Sequence, residues 1–298
     1  MNARASARPA VVFLARGTGG GLAAAEAFLA SYLSCPAGAD HQLVLLRKGF
    51  ADAAEAAALD RLAARHDTTV LDLPDDGFDW AAYFRAAERL PNTRLLLLNT
   101  HSRLQRPDWL ARMLAAAELP GAGLVGATGS WQTVAPSLRY AWPLVRWVAA
   151  NRSLLHGAAE AIQQYGMIAL GRLHPRGRSF AGFPNVHLRS NALLIPRQLL
   201  CEFAAGQAIP RTKEDAFRLE SGRAGLTAFV RRRGLGVLVA GADGRATPPE
   251  AWDRSGTFRT PGQPNLLIGD NQTRNYDAAD ARTRTFLELL TWGRVLSA

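Results

Sequence analysis

The stretch that most limits how this chain can fold is Leu95-Leu96-Leu97-Leu98 with the polar tetrad that follows, Asn99-Thr100-His101-Ser102. Four consecutive large apolar residues bounded by turn formers suit a strand buried on both faces. Such strands belong to parallel sheets covered by helices on each side. Open sheets of this kind take ligands at the carboxyl ends of their strands, so the tetrad stands where a site is expected. An ordinary turn, with Ser102 or Asp108 capping the next helix, fits the same letters.

Much of the chain repeats this rhythm. Apolar runs at Ala10 to Ala15, Gln42 to Leu46, Thr69 to Leu73 and Gly123 to Gly126 read as strands. Helical patterns fill the gaps, at about Ala51 to His66, Ala81 to Leu90 and Trp109 to Ala117. Strands alternating with helices at short spacing give a doubly wound parallel sheet. After Gly129-Ser130-Trp131 the rhythm breaks. A helix-prone stretch, Leu138 to Gln164, is interrupted at Pro143; the polar run Phe183 to Asn191 then leads into a strand at Ala192 to Ile195. Lys213 to Glu220 lie on or near a helix, Gly236 to Ala240 form a strand, and a last helix starts near Asp280. No repeat or linker divides the 298 residues, so one domain with an inserted lobe is expected.

Charge narrows the partners. The net charge of +10 rests almost wholly on arginine, with Lys48 and Lys213 the only lysines, and it favours an anionic partner. Zinc-finger spacing, an aromatic RNP pattern and a long basic run are all missing, which argues against nucleic acid. Arg231-Arg232-Arg233 fits a helix C-terminus instead. Cys35 and Cys201 are far apart and imply a reducing compartment. No run approaches the ~18 to 20 apolar residues of a membrane span. The basic start reads as a tail before the first strand rather than a secretion signal, so a cytoplasmic protein is expected. The cluster Gly17 to Gly21 fits neither the dinucleotide nor the P-loop pattern, but leaves a loop that a phosphate or ribose could approach.

From Val11 to Val239 the order of elements and short motifs resembles that of GT-A fold glycosyltransferases, most closely a family 2-like bacterial glycosyltransferase. The resemblance implies an α/β, GT-A-type fold: a mostly parallel doubly wound sheet with helices on both faces and an inserted acceptor-side helical lobe. Residues from about 10 to 130 would form the nucleotide-sugar half, and 131 to 298 the acceptor half with a C-terminal flap around Asp270-Asn271-Gln272-Thr273. A turn explains that last motif equally well. Donor contacts implied are Arg16, Gly17, Lys48, Asp79, Asn99, His101 and Ser102.

The family's Asp-x-Asp metal motif falls on Asn99-Thr100-His101, which offers neutral donors in place of carboxylates. Two versions follow. Either Mn²⁺ or Mg²⁺ is weakly held with His101 as a ligand, or no metal is used and Arg47, Lys48, Arg103 or Arg106 neutralise the diphosphate. The family's catalytic base falls on Glu220, with Asp215 as second choice. Carboxylates on helices also serve as solvated arginine partners. Gly126 to Trp131 resembles the family's glycine-rich turn before the acceptor region, which implies Trp131 as an acceptor contact; a plain turn fits the same residues. Asn185, His187, Arg189 and Asn191 alternate, so an extended segment would project them to one side as an acceptor wall or a solvated strand edge.

The activity implied is transfer of a sugar from a nucleotide-diphospho-sugar to a glycan or lipid-linked acceptor in surface polysaccharide synthesis, with inversion. A sugar nucleotidyltransferase, or a non-catalytic nucleotide- or glycan-binding protein, could use the same sheet. Leu138 to Leu155 sets Trp142 and Trp147 beside Arg139, Arg146 and Arg152, as in an interfacial helix. Peripheral contact with the inner face of the plasma membrane is therefore a further expectation. A helix covering the acceptor cleft would carry the same residues.

Overall fold

The computed structural model describes residues 8–135 and 137–296; the basic start of the chain lies outside them. The strands are β1 (Ala10–Arg16), β2 (Gln42–Lys48), β3 (Thr69–Asp72), β4 (Arg94–Leu98), β5 (Arg103–Leu104), β6 (Ala122–Gly126), β7 (Gly129–Ser130), β8 (His187–Leu188), β9 (Ala192–Pro196), β10 (Gly236–Ala240), β11 (Ala246–Thr247) and β12 (Ile268–Gly269). The helices are α1 (Gly21–Ser34), α2 (Ala53–Ala64), α3 (Phe78–Arg89), α4 (Trp109–Ala117), α5 (Leu138–Asn151), α6 (Leu154–Leu170), α7 (Pro175–Ser179), α8 (Arg197–Ala205), α9 (Lys213–Ser221), α10 (Leu226–Arg232), α11 (Asn271–Ala278) and α12 (Ala281–Trp292).

Eight strands make one sheet in the order β11-β10-β6-β9-β4-β1-β2-β3. β9 runs antiparallel to β4 and β6, and β11 antiparallel to β10; the remaining pairs are parallel. Side chains alternate between two cores. Val12, Leu14, Leu95 and Leu97 pack with α3, α8 and α10 residues such as Trp80, Phe203 and Val230 on one face. Val11, Phe13, Leu96 and Leu98 pack with α1 and α4 residues such as Phe28 and Trp109 on the other. Leu95 to Leu98 are each fully buried. At roughly 1.5 to 3 kcal/mol per buried leucine, this short run is a major anchor of the fold. The fold is thus the α/β, mostly parallel, doubly wound sheet with helices on both faces that the leucine run requires.

The reversed strand shapes the edge where a site can form. β9 pairs Ala192 with Leu98 at the carboxyl end of β4. The chain entering β9, Asn185 to Asn191, therefore reaches the same edge at which Arg16, Asp72 and Leu98 leave their strands. Between β7 and β8 lies the helical insertion α5-α6-α7. α5 and α6 approach closely at Gly157, where a methyl group would come within 2.4 Å of the Ala149 Cβ. Trp147 stacks on Phe286 of α12 with ring centroids 4.6 Å apart. Pro143 does not break the helix as expected; it lies inside α5. The interruption comes ten residues later, where the Ser153 hydroxyl accepts from His156 N and starts α6.

Candidate active site

Two cavities open at the carboxyl edge, and α9 stands between them. Its start is fixed by a capping box: Thr212 Oγ1 accepts from Asp215 N at 3.1 Å and Asp215 Oδ2 accepts from Thr212 N at 2.9 Å. Asp215, Arg218 and Leu219 line a cavity of about 870 Å³ together with Arg16, Phe78 and Arg211. Glu220, Lys213 and Phe217, on the adjoining helix face, line a second cavity of about 440 Å³. Asn99, His187, Arg189, Arg259 and Asp270 also reach this second space.

Among the described residues, Glu220 is held by a single neighbour, Ser190. Its Oε2 accepts from Ser190 Oγ at 2.9 Å and its Oε1 from Ser190 N at 3.4 Å. Burial pushes its carboxyl above the usual range, against the opposing charge of Arg189 and the Ser190 hydrogen bonds. Asn185 contributes indirectly, donating from Nδ2 to the Ser221 carbonyl at 2.9 Å and so fixing the end of α9. His187 Nδ1 lies 2.7 Å from the Asn185 carbonyl, which can only accept, so Nδ1 carries the proton and Nε2 keeps a lone pair. Burial pulls the His187 imidazole down to about 4, with Arg189 adding to the effect, so it is neutral near pH 7.

Arg189 donates to Asp270 Oδ2 at 2.7 Å and lies 4.1 Å from the Phe258 ring centre. Asp270 also caps α11 by accepting from Thr273 N at 3.0 Å. Burial would raise the Asp270 carboxyl, but Arg189 and the backbone N–H groups of α11 hold it below the usual range. Asp79, at the start of α3, makes no hydrogen bond or ion pair among the described residues. Burial raises its carboxyl, and it feels Arg16 and Lys48 as well as Glu220 and His101. It is therefore electrostatically coupled to groups at both cavities.

Several expected contacts have other roles. Lys48 is buried and donates to the Asp76 and Phe78 carbonyls at 2.6 and 2.7 Å, so it pins the loop before α3 and offers nothing to a donor. Arg47 is held by Asp72 and Asp60. At Gly17 a methyl group would fall 2.1 Å from the Gly49 carbonyl, so the glycine admits a neighbouring loop rather than a phosphate. The N-terminus of α1 is satisfied by Glu55, which accepts from Leu22 N at 2.8 Å. Ser102 is fully buried, 2.6 Å from the Asn191 carbonyl. Trp131 donates to the Pro249 carbonyl and packs edge-on against Trp292, outside both cavities. Asp215 spends its carboxylate on the capping box and on Arg218, which corrects its place as second catalytic choice. Asn191 lines the smaller cavity, but its side chain is committed to Thr128 and Ile268.

The metal question turns on Asn99. Its Oδ1 accepts from His101 N at 2.9 Å, while the single proton of Ser102 Oγ goes to the Asn191 carbonyl at 2.6 Å, so Asn99 could offer an ion at most one neutral lone pair. Among the described residues no group of three or more His, Cys, Asp or Glu side chains is arranged to hold a metal. His101 as a lone imidazole does not make a Mn²⁺ or Mg²⁺ site, since these hard cations want oxygen ligands. The donor set here does not fit the ion.

Sequence reading missed Ser190, Arg259 and Gln132, and named Gln272 only within the C-terminal flap motif. Arg259 is the most unexpected of these: it is 6% exposed and sits at φ 44°, a left-handed backbone for a non-glycine residue. Two hydrogen bonds hold that loop, from Trp292 Nε1 to the Arg259 carbonyl at 3.1 Å and from Arg259 N to Gln263 Oε1 at 3.1 Å. An arginine in an irregular loop carries no periodic signal, and in so arginine-rich a chain its type is not informative.

No protein-family model matches the chain, and no curated protein matches it. Solved structures do. A mannosyltransferase from Pyrobaculum calidifontis, in complex with GDP-Man and Mn²⁺, is 13% identical, with 85% of this chain and 61% of that one covered and a TM-score of 0.46. Glucosyl-3-phosphoglycerate synthase from Mycobacterium tuberculosis, in complex with phosphoglyceric acid, is 16% identical over 65% of this chain and 58% of that one, at a TM-score of 0.36. GalNAc-T7 with UDP, GalNAc and Mn²⁺ is 15% identical over 42% and 23%, at 0.33. The chain thus spans less than two thirds of the length of each. At these scores the likeness transfers no residue role and no reaction.

Proposed function

We propose that this chain is a glycosyltransferase that moves a sugar from a nucleotide-diphospho-sugar to the hydroxyl of a glycan or lipid-linked acceptor. One observation carries the reading: Glu220, half-buried and oriented by Ser190, lines a cavity next to the one that opens beside Arg16 at the carboxyl edge of the sheet. In the inverting reaction, the Glu220 carboxylate takes the proton of the acceptor hydroxyl. The acceptor oxygen forms its bond to the anomeric carbon as the bond from that carbon to the diphosphate breaks, and the electron pair leaves with the nucleoside diphosphate. Arg16, Arg211 and Arg218 line the larger cavity; Arg16 meets Asp75 and Arg218 meets Glu214 and Asp215, so Arg211, with no ion pair among the described residues, is the charge most available to the leaving group. Phe78, which lines the same cavity, is the aromatic donor contact, and Asp79 acts on this space through its charge on Arg16.

The helical insertion gives the acceptor a setting. Leu138, Trp142, Leu154, Leu155, Ile162 and Leu173 are each more than half exposed on α5, α6 and the turn after them. Arg139, Arg146 and Arg152 share this surface. Exposed apolar residues among arginines suit an anionic bilayer, in line with a lipid-linked acceptor at the inner face of the plasma membrane and a role in surface polysaccharide synthesis. No described helix is long and apolar enough to cross a membrane.

Incubating the protein with a panel of nucleotide sugars and membrane extracts, and following both nucleoside diphosphate release and label transfer, tests the reading. Transfer from at least one sugar donor is expected. A non-catalytic binder is the second reading, favoured by the neutral Asn99-Thr100-His101 turn; tight nucleotide binding with no hydrolysis or transfer would establish it. Glu55 at the start of α1 counts against a nucleotidyltransferase, which needs positive charge there for a triphosphate.

A further inference from the structure

Arg259 carries a charge that no ion pair among the described residues cancels. Its Nη1 donates to Gln132 Oε1 at 3.0 Å and Thr291 Oγ1 at 2.9 Å, and its Nη2 to Gln272 Oε1 at 3.3 Å. All three acceptors are neutral, Nε has no hydrogen bond, and no carboxylate lies within ion-pair distance among the described residues. The nearest acid at work in the cavity, Asp270, is committed to Arg189. Burial pulls the guanidinium down to about 9, with Arg189 adding repulsion and Asp270 only partly offsetting it. A buried charge without a counter-charge is costly, and a fold keeps one where a ligand supplies the missing sign.

The surroundings are arranged as an anion cradle. Arg259 occupies the oxygens of Gln132 and Gln272, so each amide presents its NH₂ group, and both residues line the cavity that holds Glu220. Lys213 lines the same space and has no ion pair among the described residues.

We propose that the Glu220 cavity recognises a phosphate or carboxylate group on the acceptor, bound by Arg259 with the amides of Gln132 and Gln272. This rests on the sugar-transfer reading for the word acceptor. The anion site itself stands on the geometry alone. The donor diphosphate is the other source of such an anion, and the larger cavity beside Arg16 and Arg218 is its place.

Thermal-shift and ³¹P NMR titrations of the full chain with glycerol 3-phosphate, inorganic phosphate, UDP and GDP separate these sources. Wild type is expected to bind the phosphate monoester, and Arg259→Gln to weaken that binding at least tenfold while its affinity for UDP or GDP changes less than twofold. Gln272→Glu places a carboxylate against Nη2, closes the cradle from within, and is expected to abolish phosphate binding in a folded protein, whatever the fate of Arg259→Gln. Unchanged phosphate binding in Gln272→Glu overturns the proposal. So does an equal loss of UDP or GDP affinity, which would assign Arg259 to the donor. If the monoester binds as described while no nucleoside diphosphate binds wild type, the anion site stands and sugar transfer fails. If UDP or GDP binds and no phosphate monoester or inorganic phosphate does, the reverse holds.

Discussion

Replacing Glu220 by glutamine removes the proton acceptor and, of the two bonds from Ser190, only the longer one from its backbone N at 3.4 Å. The glutamine Oε1 can still accept from Ser190 Oγ, which lies 2.9 Å away in the native protein, so the side chain is expected to stay in place. A positioned general base contributes about 10²- to 10⁴-fold, or roughly 2.7 to 5.4 kcal/mol of barrier. A fall in kcat of that size, with the KM for the nucleotide sugar changed less than about threefold, is expected in steady-state transfer assays. Stability should move the other way. The native pKa of Glu220 is raised, so the stability its protonated form confers is complete below the usual glutamate value and is lost as pH rises through the native value. Above that window wild type holds an ionised carboxylate that is partly shielded from water, and Glu220→Gln does not. Denaturant titrations should therefore find the variant at least as stable as wild type at pH 8, with the advantage shrinking towards pH 4. Turnover within tenfold of wild type in a folded variant would refute the role of Glu220. A variant less stable at pH 8 would refute the picture of a strained, half-buried carboxylate.

Other substitutions test the reassigned residues. Asp215→Ala should cost α9 on the order of 1 kcal/mol through the lost capping box, yet leave kcat within twofold; urea unfolding and transfer assays on one preparation decide both. Lys48→Met leaves the Asp76 and Phe78 carbonyls unpaired, at about 1 to 3 kcal/mol each, and should raise the donor KM through the displaced loop while kcat is kept. His187 is held neutral with a native pKa of about 4, so wild type should lose stability as pH falls below about 6.5, by on the order of 3 kcal/mol at pH 4. His187→Gln should lack that part of the acid sensitivity in unfolding titrations. Sedimentation with anionic vesicles should carry down wild type, and Leu154→Glu with Leu155→Glu should remain in the supernatant.

The sheet was legible because its signals are local. Leu95 to Leu98 require burial on two faces wherever they stand, and alternation with helices accounts for the parallel pairing with β1, while the antiparallel pairing with β9 comes from a strand that returns after the insertion and carries no such local signal. The position of Glu220 could be read for a similar reason, since a short helix ahead of β10 returns to the carboxyl edge. Roles set by distant partners could not be read. Lys48 was expected to face a phosphate, but the carbonyls it binds lie 28 and 30 residues further along. Ser102 looked like a ligand contact until Asn191, 89 residues away, closed over it. Arg259 shows the same limit from the other side: its partners come from Gln132, Gln272 and Thr291, and no window of sequence contains them together.

The most direct test of the account is a crystal of the protein soaked with UDP or GDP. Density for the diphosphate is expected in the cavity beside Arg16, Arg211 and Arg218, with its open end towards Glu220. A nucleotide bound away from the carboxyl edge of the sheet, with Glu220 facing no ligand-accessible space, would contradict it.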